Sequence, residues 1–592
     1  MRGISIGIDF GSTNSIVFLY DEEQKRALPV DVVSGSSLVP SVVSFDSRTK
    51  MYDYGLSAKN TDSKRVKVFK AFKMLLSEKN VGILQDRNYD PVPDEFLTDE
   101  EKKQLNTAEN ITRIFLKNII EEVLIKTGAD YIENLVVGFP EVWNNIETAS
   151  ARFILKEICT EILQDVNSAV KGRSGITVKS HVQVRTEPEC ASAFIAKQLE
   201  KENGQNYNGN ILIIDYGGGT LDITLSNIVT NKEGFMEIDV LARQGAGENS
   251  RADKQIGNAG IIYMESIIEE ALRKADVFEA GEVIPHDNKF YKAVNALENA
   301  MLGMLRKKLE LTFKVSGVDE EALEELMDDD MTEWLFCSVD YDGAGEYDEL
   351  LIPYSLMAEC YNRVIAPTLE KHLRLIMQDM AEHNIPFRES GNQNFKVAIV
   401  GGFGRYYPVR EQIQKMFNVQ HVDDIKMVKM SEDESELAIA HGACLFSKGI
   451  LKIRKTARLE IGTILPETDN IQIAIKYGDE IDSGKINYCK DKKGNLYKYW
   501  LDGDDISEFW INYTDKEEGG HRGILKKHVK QQLEGIKDLK GLPVLIGFSM
   551  DDSELLSMHI QYYNQSTGHG EGKIYDFKLD RYDKIFDFQA FV

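Results

Sequence analysis

Two short apolar stretches, each interrupted by Asp, an aromatic residue and Gly, stand out along the chain. Residues 6–19 read IGIDFGSTNSIVFL and residues 212–225 read LIIDYGGGTLDITL. Laid side by side, Asp9 falls on Asp215, Phe10 on Tyr216 and Gly11 on Gly217. In each stretch an apolar strand enters a turn of Gly, Ser and Thr and leaves as a second apolar strand, which predicts a β-hairpin. A repeat of this kind predicts two similar α/β halves, each opening with such a hairpin.

Other stretches fill in those halves. Ile111, Ile114, Phe115, Ile119, Val123 and Leu124 recur at helical spacing, and Thr107 and Gly128 cap a helix over 107–127. Residues 134–139 predict a strand ended by Pro140, followed by a helix over roughly 145–165. The polar, Gly- and Asn-rich stretch 199–209 reads as a loop. Residues 288–313 predict a long helix. Residues 395–400 predict a buried strand feeding the turn Gly401-Gly402-Phe403-Gly404, with a helix from about Val409. From Leu451 onward the pattern becomes strand-rich: ARLEIGTIL, IQIAIKY, EFWINY, LPVLIGFS and KIYDFKL read as strands, and INYCKDKKGNLYKYWL as a hairpin turning on Lys493-Gly494-Asn495. Only 523–538 reads as a helix there.

Composition narrows the classes. A chain of 592 residues is too long for one core and predicts three to five compact units. Its 96 acidic and 70 basic residues give a net charge of −26, which disfavours nucleic acid and anionic lipid as partners. From Leu451 onward 24 acidic and 21 basic residues leave a net of only −3, so the acidity lies in the first 450 residues. The six cysteines have no metal-ligand spacing and read as buried thiols. Asp9 interrupts the first apolar run before a signal-peptide core forms, and no stretch approaches the ~18 apolar residues of a membrane helix. A cytoplasmic protein is expected.

The two bends carry the candidate chemistry. A Gly-rich hairpin turn can aim several backbone N–H groups into one anion-binding concavity. Ser12, Thr13 and Thr220 add hydroxyl donors. Asp9 and Asp215 would repel a phosphate unless Mg²⁺ lay between. Two facing bends, with a third Gly-Gly turn at 401–402, predict a grip on a polyphosphate from both sides. No GxxxxGK[ST] loop is present.

These segments resemble a known group. GIDFGSTNS at 7–15, IIDYGGGTLD at 213–222 and AIVGGFGR at 398–405 resemble the two phosphate motifs and the adenosine motif of the actin-like ATPase superfamily. VFKAFKMLL at 68–76, LVVGFPEVWNN at 135–145, TEPECASAF at 186–194 and SELAIAHGACL at 435–445 resemble segments of the 70-kilodalton heat-shock (Hsp70) chaperones. The resemblance spans about 1–448. It implies two actin-like (ribonuclease H-like) lobes, each a mixed sheet flanked by helices, at 1–198 and 199–448, before a β-rich C-terminal domain at 449–592.

The resemblance also implies roles. Asp9 and Asp215 position Mg²⁺ and the attacking water. Gly11, Ser12, Thr13 and Asn14 bind phosphate from one side, and Gly217, Gly218, Gly219 and Thr220 from the other. Lys73 is the counterpart of the family's catalytic lysine, with Lys70 as a rival register, and Glu187 orients metal-bound water. Pro140 is the switch toward the outer domain. Gly401, Gly402, Phe403 and Arg405 bracket adenosine. The family's adenine-binding helix has its nearest counterpart at 298–310, where Glu298, Lys307 and Lys308 are candidates. Ser12-Thr13 replaces the family's Thr-Thr and keeps both hydroxyls. After 448 only LEIGT at 459–463 resembles the family's peptide-binding sheet, and its helical lid has no counterpart. The function implied is a slow, Mg-dependent ATPase chaperone using ATP and ADP, with a protein or peptide client on 449–592. A filament-forming or scaffolding actin-like protein is the alternative, a small-molecule kinase or a non-hydrolysing nucleotide binder less so.

Overall fold

The computed structural model describes residues 1–33, 36–59, 66–77, 98, 107–144, 150–174, 178–230, 236–247, 259–279, 281–286, 288–302, 333–339, 348–385, 394–417, 428, 430, 432–457, 459–464, 471–476, 478–500, 508–517, 520–521, 525–530, 537–553 and 555–578. The chain divides into two compact units, one of Met1–Thr148 with Ile154–Lys452 and the other of Ala149–Phe153 with Ile453–Val592. The composition shift near 449 lies close to that border.

The first unit is α/β and contains two mixed sheets of matching design. In one, β1 (Gly3–Phe10), β2 (Asn14–Asp21) and β3 (Arg26–Pro29) form an antiparallel meander, and β4 (Tyr131–Phe139) and β5 (His181–Thr186) join parallel on the far side of β1. In the other, β6 (Gly209–Tyr216), β7 (Thr220–Thr230) and β8 (Met236–Gly247) form the antiparallel part, and β9 (Phe395–Val400) runs parallel to β6. The repeat read from sequence is thus a repeat of register: Asp9 faces Ile16 across the first hairpin and Asp215 faces Asp222 across the second. Near-continuous burial of β1 and β6 follows from their apolar runs and from their central, two-sided positions.

The helices cover these sheets. α1 (Ala108–Thr127) has Thr107 as N-cap, its side chain accepting from the Asn110 N–H, and Gly128 in the left-handed conformation as C-cap. α2 (Ser150–Ser174) follows, residues 145–149 of its expected start lying outside the described residues. α3 (Glu187–Asn203) overturns the loop expected from 199. Leu199-Glu-Lys-Glu-Asn203 is polar but made largely of good helix formers, so the helix runs on until Gly204 stops it with φ +65°. α4 (Gly260–Lys274) and α5 (Asn288–Leu302) pack on each other and bury apolar residues in the core that also takes in the second sheet, and the continuation expected to 313 lies outside the described residues. α6 (Tyr407–Phe417) follows the Gly-Gly turn, and α7 (Glu432–Ser447) lies against β1 and α3.

The second unit is β-rich. One sheet contains β10 (Leu459–Ile464) and β11 (Ile471–Ile475). The other includes β12 (Asn487–Tyr488) and β13 (Tyr499–Trp500). The tip at Lys493-Gly494-Asn495 is as expected, with Gly494 at φ +86°, but the flanking strands β12 and β13 pair with a third strand rather than with each other. β14 (Glu508–Glu517) pairs with β15 (Leu525–Lys530), a strand where the middle of the helix expected at 523–538 would run; residues 523–524 and 531–536 lie outside the described residues. Leu525 and Val529 are four apart, a spacing that shares a face in a helix and in a strand alike. The ladder offered by β14, placing them opposite Tyr513 and Phe509, decides for the strand. β16 (Pro543–Met550), β17 (Leu556–Asn564) and β18 (His569–Lys578) complete the second sheet. Cys159, Cys190, Cys360, Cys444 and Cys489 are buried and unbridged. Among the described residues no helix is long and apolar enough to cross a membrane.

Candidate functional site

The hairpin geometry puts both bends at strand ends of neighbouring sheets, and they meet. A Cβ built on Gly218 would come within 2.7 Å of Thr13 Oγ1, and one on Gly219 within 2.9 Å of Ser12 Oγ. The hydroxyls of the first bend therefore occupy the space that side chains would take on the second. Around this junction opens a cleft with both bends in its wall. The bends at 11–14 and 217–220 line it, as do Asp9, Lys73, Glu187 and Asp215, with Glu298, Gly401, Gly402 and Phe403 further along the wall. Gly401 is at φ +80°, and a Cβ there would strike Asp215 Oδ1 at 2.5 Å. Lys307 and Lys308 lie outside the described residues, as does the side chain of Arg405.

Local structure separates the two lysines. The strand Val66–Lys70 ends at Lys70, and Ala71 then takes a left-handed φ of +52°. That kink sends Lys73 into the cleft, where its Nζ pairs with Glu187 Oε1 and lies 5.7 Å from the Phe10 ring. Lys70 instead donates to Asn295 Oδ1 at 2.5 Å, and burial pulls its pKa down to about 8. Glu187 opens α3, where Thr186 caps the helix by accepting from the Glu189 N–H at 3.3 Å. A carboxylate at that position also meets the positive end of the helix dipole.

Charge is crowded here. Burial first, and then Glu187, push Asp9 up to about 7, with Lys73 pulling the other way. Asp215 and Asp222 are held well above the usual carboxylate range by the same burial and by Glu187. Oxygens of Glu187, Asp215 and Asp222 lie within 4.8 Å of one another. Asp215 Oδ2 and both oxygens of Asp222 are buried without a hydrogen bond. Buried carboxylate oxygens left without donors and converging on one point suit a hard divalent cation.

Sequence reasoning missed Asp222. The repeat itself hid it, because Asp222 aligns with Ile16 of the first hairpin and so drops out of a symmetric reading. The signal was available as a second Asp seven residues after Asp215 on a strand of alternating pattern. Gly260, Met264, Tyr406 and Glu436 also line the cleft and were not foreseen. Pro140 ends β4 and starts a 3₁₀ turn over Glu141–Asn144, outside the cleft lining.

No protein-family model matches the chain. Curated relatives do. A "Chaperone protein HscA homolog" of Rickettsia africae is 22% identical over 586 residues, covering 96% of this chain and 76% of that protein. A "Chaperone protein DnaK" of Thermus thermophilus is 23% identical over 239 residues, 40% of this chain and 34% of its own length. One of Stenotrophomonas maltophilia is 27% identical over 252 residues, 41% and 35% respectively. The chain is Hsp70-like. The Rickettsia alignment carries the likeness past 448, where the motifs fade.

Among the described residues another constellation of reactive residue types stands out. In the second unit Ser549 Oγ lies 2.7 Å from His559 Nε2, and His559 Nδ1 lies 2.6 Å from Asp576 Oδ1, across β16, β17 and β18. Its burial runs opposite to what nucleophilic catalysis needs: Ser549 is buried and the Asp576 side chain is 66% exposed. It is a polar tie across three strands.

Proposed function

We propose that the chain is an Hsp70-like molecular chaperone ATPase. Its two actin-like lobes, 1–198 and 199–448, hold Mg²⁺-bound ATP between their bends and hydrolyse it slowly, and nucleotide state governs a protein- or peptide-binding domain at 449–592. The observation that carries this reading is the contact of Ser12 and Thr13 with Gly218 and Gly219, a double-sided cradle at the foot of one cleft. Named chaperones among its relatives support the same reading.

In this reading the backbone N–H groups of both bends receive phosphate oxygens, and the hydroxyls of Ser12, Thr13 and Thr220 add donors. Asp215, with Asp222 and Glu187 beside it and Asp9 across the cleft, would hold Mg²⁺, whose charge neutralises the phosphate oxygens as the γ-phosphoryl leaves. Lys73 brings a cation to the same oxygens. Asp9 and Glu187 orient the attacking water by accepting its hydrogen bonds. Gly401, Gly402, Phe403, Arg405 and Glu298 receive adenosine at the far end. The soluble, cytoplasmic setting expected from the sequence goes with this role.

Calorimetric titration of the full chain with ATP and ADP, with and without Mg²⁺, tests the reading. One nucleotide per chain, tighter with Mg²⁺, and phosphate release after ATP addition are expected. A folded protein that binds neither nucleotide overturns it. Sedimentation with and without ATP separates a chaperone, which stays in solution, from a filament former, which pellets.

A further inference from the structure

A second group of buried charges lies behind the cleft. Arg243, on β8, has a side chain only 8% exposed. Its Nη1 donates to Glu141 Oε1 at 3.2 Å and its Nη2 to Glu189 Oε1. The two carboxylates are as deeply buried as the guanidinium, at 5% and 3% exposure. They come from different places. Glu141 follows Pro140 and opens the 3₁₀ turn that carries the fully buried Trp143. Glu189 lies in the first turn of α3, two residues after Glu187.

Burying three charges is costly, and apolar residues of the same volume would often hold the fold as well. What an Arg supplies here is geometry: its planar fork can fix two carboxylates at once, and those two belong to two elements. We propose that Arg243 is a positioning residue that ties the first turn of α3, and with it Glu187, to the turn beginning at Pro140, so that events at the phosphate end of the cleft reach that turn. The inference rests on the ATPase reading. Electrostatics support the link, because Glu141 is among the charges that act on Asp222, and Gly245, two residues beyond Arg243, faces Asp222 across the β7–β8 ladder.

The test uses the full chain with Arg243→Gln, Arg243→Lys and Glu141→Gln. Steady-state ATP turnover gives kcat and KM, and hydrogen exchange of residues 138–146 with ADP and with ATP gives the response of the turn. In Arg243→Gln kcat is expected to fall about tenfold with KM within twofold, and the ATP-dependent change in exchange at 138–146 to disappear. Arg243→Lys is expected to recover part of kcat, since one ammonium can hold one carboxylate. Glu141→Gln is expected to abolish the exchange response while leaving kcat within about twofold, because Glu189 stays paired. A lowered melting temperature with kcat and the exchange response both intact, in Arg243→Gln or in Glu141→Gln should the former not fold, shows a purely structural triad and overturns the inference. Wild-type protein that binds no nucleotide fails at an earlier step and overturns the ATPase reading itself.

Discussion

The two hairpins are built to one plan and furnished differently. The first bend, Gly11-Ser12-Thr13, presents hydroxyls; the second, Gly217-Gly218-Gly219, presents bare backbone. Each needs the other's choice, since Ser12 and Thr13 fit only against glycine. The second difference lies one strand later, where Ile16 is apolar and Asp222 is a buried carboxylate with no hydrogen bond. Ile16 packs in a small core with Phe18 and Ala440, whereas Asp222 faces Glu187 and Asp215. A duplicated scaffold has thus been made asymmetric at the positions that touch phosphate and metal. One side supplies donors, the other room and negative charge.

The comparison can be broken most sharply at the cation between the bends. Lys73→Ala is expected to lower ATP turnover about a hundredfold or more with nucleotide affinity little changed, measured by phosphate release and calorimetry. Lys70→Ala is expected to leave turnover within about twofold, because Lys70 meets Asn295 outside the cleft. The reverse result would place the catalytic lysine three residues earlier. Gly219→Val, which drives a side chain into Ser12, is expected to weaken ADP binding about 10- to 100-fold in the same titration.

Smaller effects separate the acidic side. Asp222→Asn replaces a carboxyl whose ionisation burial opposes with a neutral amide, so the metal-free protein is expected to melt at a higher temperature at neutral pH while the stabilisation gained on adding Mg²⁺ shrinks. A lowered melting temperature with the Mg²⁺ response unchanged would remove Asp222 from the cation site. Asp9 gives the smallest signal. Its carboxyl titrates near 7 in the folded protein against an ordinary value of 3.8, so the folded state holds that proton more tightly. The stability it lends is complete below about pH 4 and is lost as pH rises through about 7. Metal-free protein is therefore expected to melt progressively lower across that window, and Asp9→Asn to flatten the slope. An identical slope in the variant would show that other groups set it.

Much of the site was legible because phosphate binding by bends is a local property. The Asp-aromatic-Gly signatures mark turns whose backbone is exposed at strand ends, and Thr107 and Gly128 mark a helix by chemistry confined to a few residues. Where a pattern was compatible with two structures, reading failed. Leu525 and Val529 share a face in either conformation, and β14 chose the strand. The polar run at 199 suits a loop or a helix surface, and the register of α3 carried it to Asn203. Arg243 gave no local sign at all, since its two partners are 102 and 54 residues away.

The sequence by itself determined the two hairpins, the glycines at their tips and the acid at the end of each leading strand, because all of these depend on the conformations and spacing of adjacent residues. Tertiary structure alone decided that the bends touch, that Ala71 turns Lys73 rather than Lys70 toward them, and that Glu187, Asp215 and Asp222 converge. Those outcomes depend on how separate strands and helices pack, and the electrostatics of a buried group follow from neighbours that sequence distance does not reveal.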